Sequence, residues 1–242
     1  MNWRLQDLPW LPLAPQDFRD RCKAIDEDPS PEGRDIAALA SSQLDVNQLT
    51  RLTKSIRAAQ GRGAALDPLT PFHLGVMGTG TTCLYVPTLS ASAARHGVSL
   101  TVSQAEYGQI MQEALAPDST INASGADAVL LAMDHRDLPF QRAGLCQNQD
   151  PEDLLNDVFE QLAAIREGVR SGVNAPLIFQ TLATPPAPTL GHMDIRVGGS
   201  LVNLFSRYNQ LLVDFAAANN DYVLDTAGLA VAVGTENWFN PA

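Results

Sequence analysis

Five apolar, β-favouring runs alternate with helical segments from residue 71 onward, and this alternation restricts the fold more than any other feature. The runs are FHLGVM, VSLTVSQ, ADAVLLAMD, APLIFQTLA and DYVLDTAG. Strands separated by helices form parallel sheets that carry helices on both faces. ADAVLLAMD is continuously apolar, as expected of a strand buried on both sides. The sequence therefore predicts a three-layer α/β domain with five parallel strands in the flavodoxin-like order 2-1-3-4-5.

The first 66 residues show no strand pattern and predict a helical arm. The helix with the clearest signal is LDVNQLTRLTKSIRAA, in which Asp45 can cap the first turn and Leu52 and Ile56 belong to an apolar stripe. A short linker, GRGAALDP, closes this part of the chain. We therefore expect a helical arm over residues 1–66 and an α/β domain over residues 67–242.

Charge and cysteine content exclude several classes of function. The net charge of −11 disfavours nucleic acids and anionic membranes as partners. Cys22, Cys83 and Cys146 are widely spaced and form no CxxC pair, so no metal site is predicted. No stretch has the length and apolarity of a signal peptide or a transmembrane helix. We therefore expect a cytoplasmic protein without metal or cofactor.

Three polar segments are expected to meet at one edge of the predicted sheet. GTGTT follows the first strand, MDHRD ends the third, and TLATPPAP follows the fourth. Sheets of this order bind ligands beyond the carboxyl ends of their strands, between strands 1 and 3. The expected binding residues along this edge are Gly78, Thr79, Gly80, Thr81, Thr82, Asp134, His135, Thr181 and Thr184.

The GTGTT turn permits two interpretations. Its glycines allow unusual backbone shapes, and its hydroxyls, with free amides at the start of the next helix, suit an anion or an oxyanion. A tight turn with a threonine cap would use the same residues without any ligand. The sequence alone leaves both interpretations open.

Acid–base chemistry has few candidates. Asp134 and His135 are adjacent, but neighbours in sequence usually point apart, and Asp134 could equally cap the following turn. His192, in LGHMD, is expected in a loop after the fourth strand. The candidate catalytic residues are Thr79, Thr81 and His192.

The order of these motifs resembles the N-terminal region of FkbH-like proteins, of haloacid-dehalogenase (HAD) subfamily IIIC. A Gly-x-x-Thr-Thr turn follows the first strand in that family, and an Asp strand with a Gly-x-x-x-Trp-Phe-Asp segment closes the region. The remaining family positions matched here are Tyr107, Asp118, Ser119, Asp225, Gly234, Trp238 and Phe239. The resemblance covers nearly the whole chain.

The resemblance implies a fold like that of SGNH hydrolases, without their catalytic triad. Gly80 stands where those enzymes have the nucleophilic serine, and Asn240 stands where the aspartate of their Asp-x-x-His pair is expected. In FkbH-like proteins a HAD-type domain with a DxDxT motif usually follows. That second domain is credited with glyceryl or acyl transfer to a carrier protein, in polyketide and polysaccharide pathways. No DxDxT occurs here, so we expect one domain of a longer protein or a stand-alone homologue.

Three functions are compatible with these observations. The first is a catalytically degenerate SGNH-like module that binds an acyl carrier protein, a HAD-type partner domain, or a small acyl, glyceryl or phosphorylated group. The second is an active esterase or acyltransferase with an unusual Thr/His set, and the third is a dimerising scaffold. An acidic carrier protein would need a local basic patch, for which Arg51, Lys54 and Arg57 are candidates, although the same spacing is more typical of a solvated helix face.

Overall fold

The structure is a computed structural model that describes residues 8–80, 82–140, 150–186 and 190–239, apart from the side chain of Cys83. Five parallel strands form one sheet in the order β2-β1-β3-β4-β5, flanked by helices. The predicted α/β class and the strand order 2-1-3-4-5 are therefore confirmed. The candidate residues Thr81 and Asn240 lie outside the described residues.

The elements follow the predicted alternation along the chain. The strands are β1 (Thr70–Gly78), β2 (Val98–Gln104), β3 (Ala128–Ala132), β4 (Leu177–Gln180) and β5 (Tyr222–Leu224). The helices are α1 (Phe18–Glu27), α2 (Gly33–Ala40), α3 (Val46–Gly61), α4 (Val86–Ala94), α5 (Ile110–Leu115), α6 (Pro151–Gly172), α7 (Leu201–Ala218), α8 (Thr226–Val233) and α9 (Thr235–Trp238). Among the described helices, none is both long enough and apolar enough to cross a lipid bilayer.

Contacts group the chain into two compact units. The first comprises Met1–Leu74 and Thr81–Ser103, and the second comprises Gly75–Gly80 and Gln104–Ala242. The division runs through β1, so it does not decide whether a domain boundary follows residue 66. That boundary stays a prediction.

Helices α1 to α4 build the core of the first unit. Asp45 begins α3 as predicted, because its carboxylate accepts a hydrogen bond from Gln48 N at 2.8 Å while its own N–H donates to Gln48 Oε1 at 2.9 Å. Leu52 and Ile56 are fully buried, as the apolar stripe predicted. Cys22 is also buried, and burial raises the pKa of its thiol.

The long helices α6 and α7 contribute a large share of the core of the second unit. Leu162 on α6 and Phe205 on α7 are fully buried, in one cluster with Val129 of β3 and Leu177 of β4. Val129 lies opposite Leu177 in the parallel register of β3 and β4. This packing holds the carboxyl ends of the strands, where the candidate residues lie.

Three elements are shorter than the sequence pattern predicts. The segment TTCLYVPTLSASAARHG has a helical pattern from residue 81, but a 3₁₀ turn, Thr82–Leu84, comes first and α4 begins only at Val86, where Pro87 fits the first helical turn. The segment EYGQIMQEALA also has a helical pattern, but α5 begins after Gly108, whose φ of 72° is outside the helical region. Strand β5 ends at Leu224 because Asp225 caps α8.

Candidate functional site

The turn after β1 contains a buried hydroxyl that has no hydrogen-bond partner among the described residues. Gly78 ends β1, and Oγ1 of the half-buried Thr79 is buried without a hydrogen bond to any described residue. Gly80 is exposed, and a Cβ at this position would meet no described atom within 4 Å. Its φ is not positive, so local packing and backbone shape do not require glycine at residue 80. The turn therefore places an exposed glycine next to a residue whose buried hydroxyl has no hydrogen-bond partner among the described residues.

The loop that follows β2 lies against this turn. Ala105 N donates to Val76 O at 2.9 Å, and Gly108 N donates to Gly78 O at 3.4 Å. Tyr107, between these two contacts, is 73% exposed. Its phenol is therefore available at the end of β1. Sequence reasoning noted Tyr107 as a family match but did not count it among the binding residues.

Asp134 and His135, at the end of β3, make separate contacts. The Asp134 carboxylate accepts hydrogen bonds from Arg136 N at 2.7 Å and from Arg136 Nε at 3.2 Å. The His135 ring contacts Phe205 and Phe239, with centroids 5.8 and 6.0 Å away. Asp134 thus stabilises the turn that follows β3, as its capping interpretation requires, and His135 packs among aromatic rings.

Thr181, at the end of β4, is held by the beginning of α8. Its hydroxyl donates to Asp225 Oδ1 at 3.0 Å and accepts from Ala227 N at 2.9 Å. The same Asp225 oxygen also accepts from Gly228 N at 2.9 Å. Sequence reasoning left Asp225 out of the site, although its position directly after a strand was the available signal. Thr184 is exposed at the surface.

His192 lies on a short 3₁₀ turn, Gly191–Met193, and is exposed. Within the part of the chain that the structure describes, its ring makes no hydrogen bond to Thr79. The next acid, Asp194, is only 2% exposed, and its Oδ1 accepts from Leu190 N at 3.2 Å. The structure therefore does not join Thr79 and His192 as a hydrogen-bonded nucleophile and base.

Thr82 is buried and starts the 3₁₀ turn that precedes α4, where its carbonyl accepts from Tyr85 N at 3.2 Å.

Ser119, one of the family matches, caps the loop after α5, since its hydroxyl donates to Glu113 O at 2.7 Å and accepts from Asn122 N at 3.0 Å. In the described ranges, no three His, Cys, Asp or Glu side chains are grouped closely enough to hold a metal ion.

Comparison with known proteins identifies one family and one fold. The model of the FkbH N-terminal domain matches residues 73–242. No curated protein matches the chain. The crystal structure of the N-terminal part of the protein BF1531 from Bacteroides fragilis, containing a phosphatase domain and complexed with Mg, aligns with a TM-score of 0.62 at 17% identity. The alignment covers 78% of this chain and 46% of that one, so this chain spans about half of that structure, and the likeness concerns the fold alone.

Proposed function

Since the chain belongs to the FkbH family, whose N-terminal-domain model matches residues 73–242, we propose that the edge of the sheet at Thr79 binds an acyl, glyceryl or phosphorylated group. The group would be presented by a carrier protein, and this domain would bind it without hydrolysing it. In this proposal the fold is a catalytically degenerate relative of SGNH hydrolases, of the kind found beside HAD-type domains of subfamily IIIC. The pathway would be polyketide or polysaccharide biosynthesis.

The observation that carries the proposal is the buried hydroxyl of Thr79, which has no hydrogen-bond partner in the described part of the chain. A buried polar atom without a hydrogen bond costs about 1–3 kcal/mol, and native proteins contain few of them. A ligand oxygen seated beside Thr79 would remove that cost. Gly80 leaves the neighbouring backbone open to such an approach, since no described atom occupies the space of its missing Cβ.

Among the described residues no base is hydrogen-bonded to the Thr79 hydroxyl, which supports binding over hydrolysis. A base must come within about 2.6–3.2 Å of its nucleophile, directly or through a water molecule. Among the described residues, no histidine bonds to the Thr79 hydroxyl. His73 instead contacts Ser103 Oγ at 2.9 Å, and His135 packs on Phe205. Gly80 also offers no nucleophile at the position where the resemblance implies one.

We expect glycerol phosphate, used as a probe, to bind more weakly to Thr79→Val than to the unmodified chain. Valine keeps the shape of threonine but removes the hydroxyl, and one hydrogen bond to a charged ligand is worth about 1.5–3 kcal/mol, or roughly a tenfold or larger change in Kd. Titration calorimetry measures the change. Thr101→Val is the matched control, because Thr101 is exposed on β2. Equal weakening in both variants, or no binding to the unmodified chain, contradicts the proposal.

We expect no hydrolysis of short p-nitrophenyl esters above the rate of the uncatalysed reaction. The unmodified chain and its Thr79→Ala, Thr81→Ala and His192→Ala variants should be indistinguishable, because no described base activates Thr79. Release of p-nitrophenol at constant pH gives the rates. Turnover that disappears in one variant only would establish the esterase alternative. A chain that forms dimers and binds none of the probes would establish the scaffold alternative.

A further inference from the structure

Charge is distributed very unevenly along the chain. Residues 1–103 contain ten Lys or Arg and ten Asp or Glu, whereas residues 104–242 contain six and seventeen. The net charge of −11 therefore belongs entirely to the second part of the chain. Within the neutral first part, residues 46–66 contain four cations and no acid. Most of these residues form α3, which is thus a basic helix in an acidic protein.

The outer face of α3 carries two exposed cations. Lys54 and Arg57, three residues apart, are both exposed, and neither forms an ion pair within the described residues. The opposite face of the helix is buried, with Leu52, Ile56 and Ala59 in the core of the first unit. We call the exposed face with Lys54 and Arg57 the α3 ridge.

Arg51 flanks the α3 ridge and is held in a fixed orientation. Its Nη2 donates to Asp26 Oδ2 at 2.5 Å, and its Nη1 donates to Ser55 Oγ at 2.8 Å. Burial by itself would raise the pKa of Asp26, but the hydrogen bonds from Arg51 and Ser55 outweigh it and lower that pKa. Asp26 therefore stays ionised and anchors Arg51 at the side of the ridge near α1.

A cleft of about 960 Å³ lies beside the α3 ridge, between the first turns of α1 and α3. Arg19 and Lys23 of α1 line one side, and Arg51 lines the other. Two acids, Asp20 and Asp45, also line the cleft, and Asp45 caps α3. Lys23 pairs with Glu27 at 3.5 Å and Arg51 pairs with Asp26, so Arg19 is the lining cation that has no ion pair among the described residues. The exposed Arg19 on α1 therefore adds a third such cation to the two of the α3 ridge.

We propose that the α3 ridge and this cleft form the docking surface for an acidic protein helix. Opposite charges steer association and fix the orientation of the partner, whereas two acidic surfaces repel each other. A partner whose contact helix is rich in Asp and Glu would find here the basic face of an otherwise acidic chain. The inference rests on the proposed function in one respect, because the partner is taken to be the protein that presents the bound group.

Charge complementarity favours an acidic protein over other polyanions. A nucleic acid or an anionic membrane carries negative charge over an extended surface. The net charge of −11 of this chain would repel the part of that surface that lies outside the contact with the ridge. A single helix engages only the ridge and the cleft. Screening limits the interaction to roughly 8 Å at physiological salt, so binding should depend on the cations of this face and weaken as salt rises.

The test uses a 20-residue helical peptide with Glu along one face, beside the same peptide with Gln in place of Glu. Fluorescence anisotropy measures binding of each peptide to the full chain at two salt concentrations. We expect the Glu peptide to bind more tightly, and the double variant Lys54→Glu/Arg57→Glu to weaken that binding by about tenfold or more. Arg34→Glu/Arg196→Glu is the matched control, since it makes the same change in net charge at two exposed arginines elsewhere and should alter binding by less than about twofold.

Four outcomes of this test would contradict the docking surface. Equal effects of the two double variants, equal binding of the two peptides, or no binding by the unmodified chain overturns the docking surface. Duplex DNA or phosphatidylglycerol vesicles that bind through Lys54 and Arg57 as well as the Glu peptide does would also overturn it. Glycerol phosphate titration of the same samples separates the two proposals. If only glycerol phosphate fails to bind, the proposed function is contradicted and the docking surface is not. If only the peptide fails to bind, the docking surface is contradicted and the proposed function is not.

Discussion

Replacement of Asp221 by Ala is expected to lower the free energy of unfolding by about 3 kcal/mol, because it leaves the Leu177 N–H without its acceptor and two partly buried arginines without their counterion. The Asp221 side chain is fully buried, and its Oδ2 accepts from Arg166 Nε at 2.5 Å. Its Oδ1 accepts from Leu177 N at 3.0 Å and lies 3.7 Å from Arg170 Nη2. A single carboxylate therefore joins helix α6 to the starts of β4 and β5.

Urea denaturation followed by circular dichroism measures this effect. Asp221→Asn should be less damaging than Asp221→Ala, because an amide oxygen can still accept from Leu177 N. Asp214→Ala is the control: Asp214 is exposed on α7, and its loss should change stability by less than about 0.5 kcal/mol. A change below about 1 kcal/mol for Asp221→Ala would mean that the cluster with Arg166 and Arg170 adds little to stability.

Gly33→Ala should destabilise the first unit by about 3 kcal/mol or more. A Cβ at Gly33 would lie 1.9 Å from Leu66 O and 2.9 Å from Asp67 O, and both are backbone atoms that cannot rotate away. Gly33 N also donates to Asp67 O at 2.9 Å, so the contact draws the two segments together. Overpacking usually costs about 1–3 kcal/mol of stability, and a clash with backbone atoms at this distance should cost the upper end of that range or more.

Gly61→Ala provides a control with the same chemical change. Gly61 ends α3, has no described atom within 4 Å of its missing Cβ, and does not have a positive φ. Alanine there should stabilise the chain by up to about 1 kcal/mol, because glycine loses more conformational freedom on folding. Thermal or urea unfolding should therefore move in opposite directions for the two variants. A stable Gly33→Ala protein would mean that α2 can shift away from residues 66–67.

Local sequence patterns were sufficient for the order of elements and for the sheet. Apolar runs of strand length, separated by amphipathic helices, specify parallel pairing and right-handed connections, and few strand orders satisfy both. The cap of α3 was equally predictable, since Asp45 and Gln48 are three residues apart and need no distant partner. Element ends were less predictable. Pro87 and Gly108 interrupt patterns that otherwise read as longer helices.

The candidate site was predictable as a location but not as a set of contacts. Parallel strands bring Thr79, Asp134 and Thr181 to one edge of the sheet, and the sequence predicted each of them at or near the end of a strand. Their roles differ in ways that no local pattern contains. Asp134 bonds within its own turn, Thr181 is tied to Asp225, and the Thr79 hydroxyl has no partner among the described residues.

Short-range chemistry therefore accounts for the class of fold, the strand order and the helix caps, because each depends on residues within a few positions of one another. Long-range packing accounts for the rest. Thr181 meets Asp225 across 44 positions of the chain, and Arg166 meets Asp221 across 55. Such pairs form only when the sheet brings distant segments together, and burial then determines which polar atoms find a partner and which, like Thr79 Oγ1, find none among the described residues.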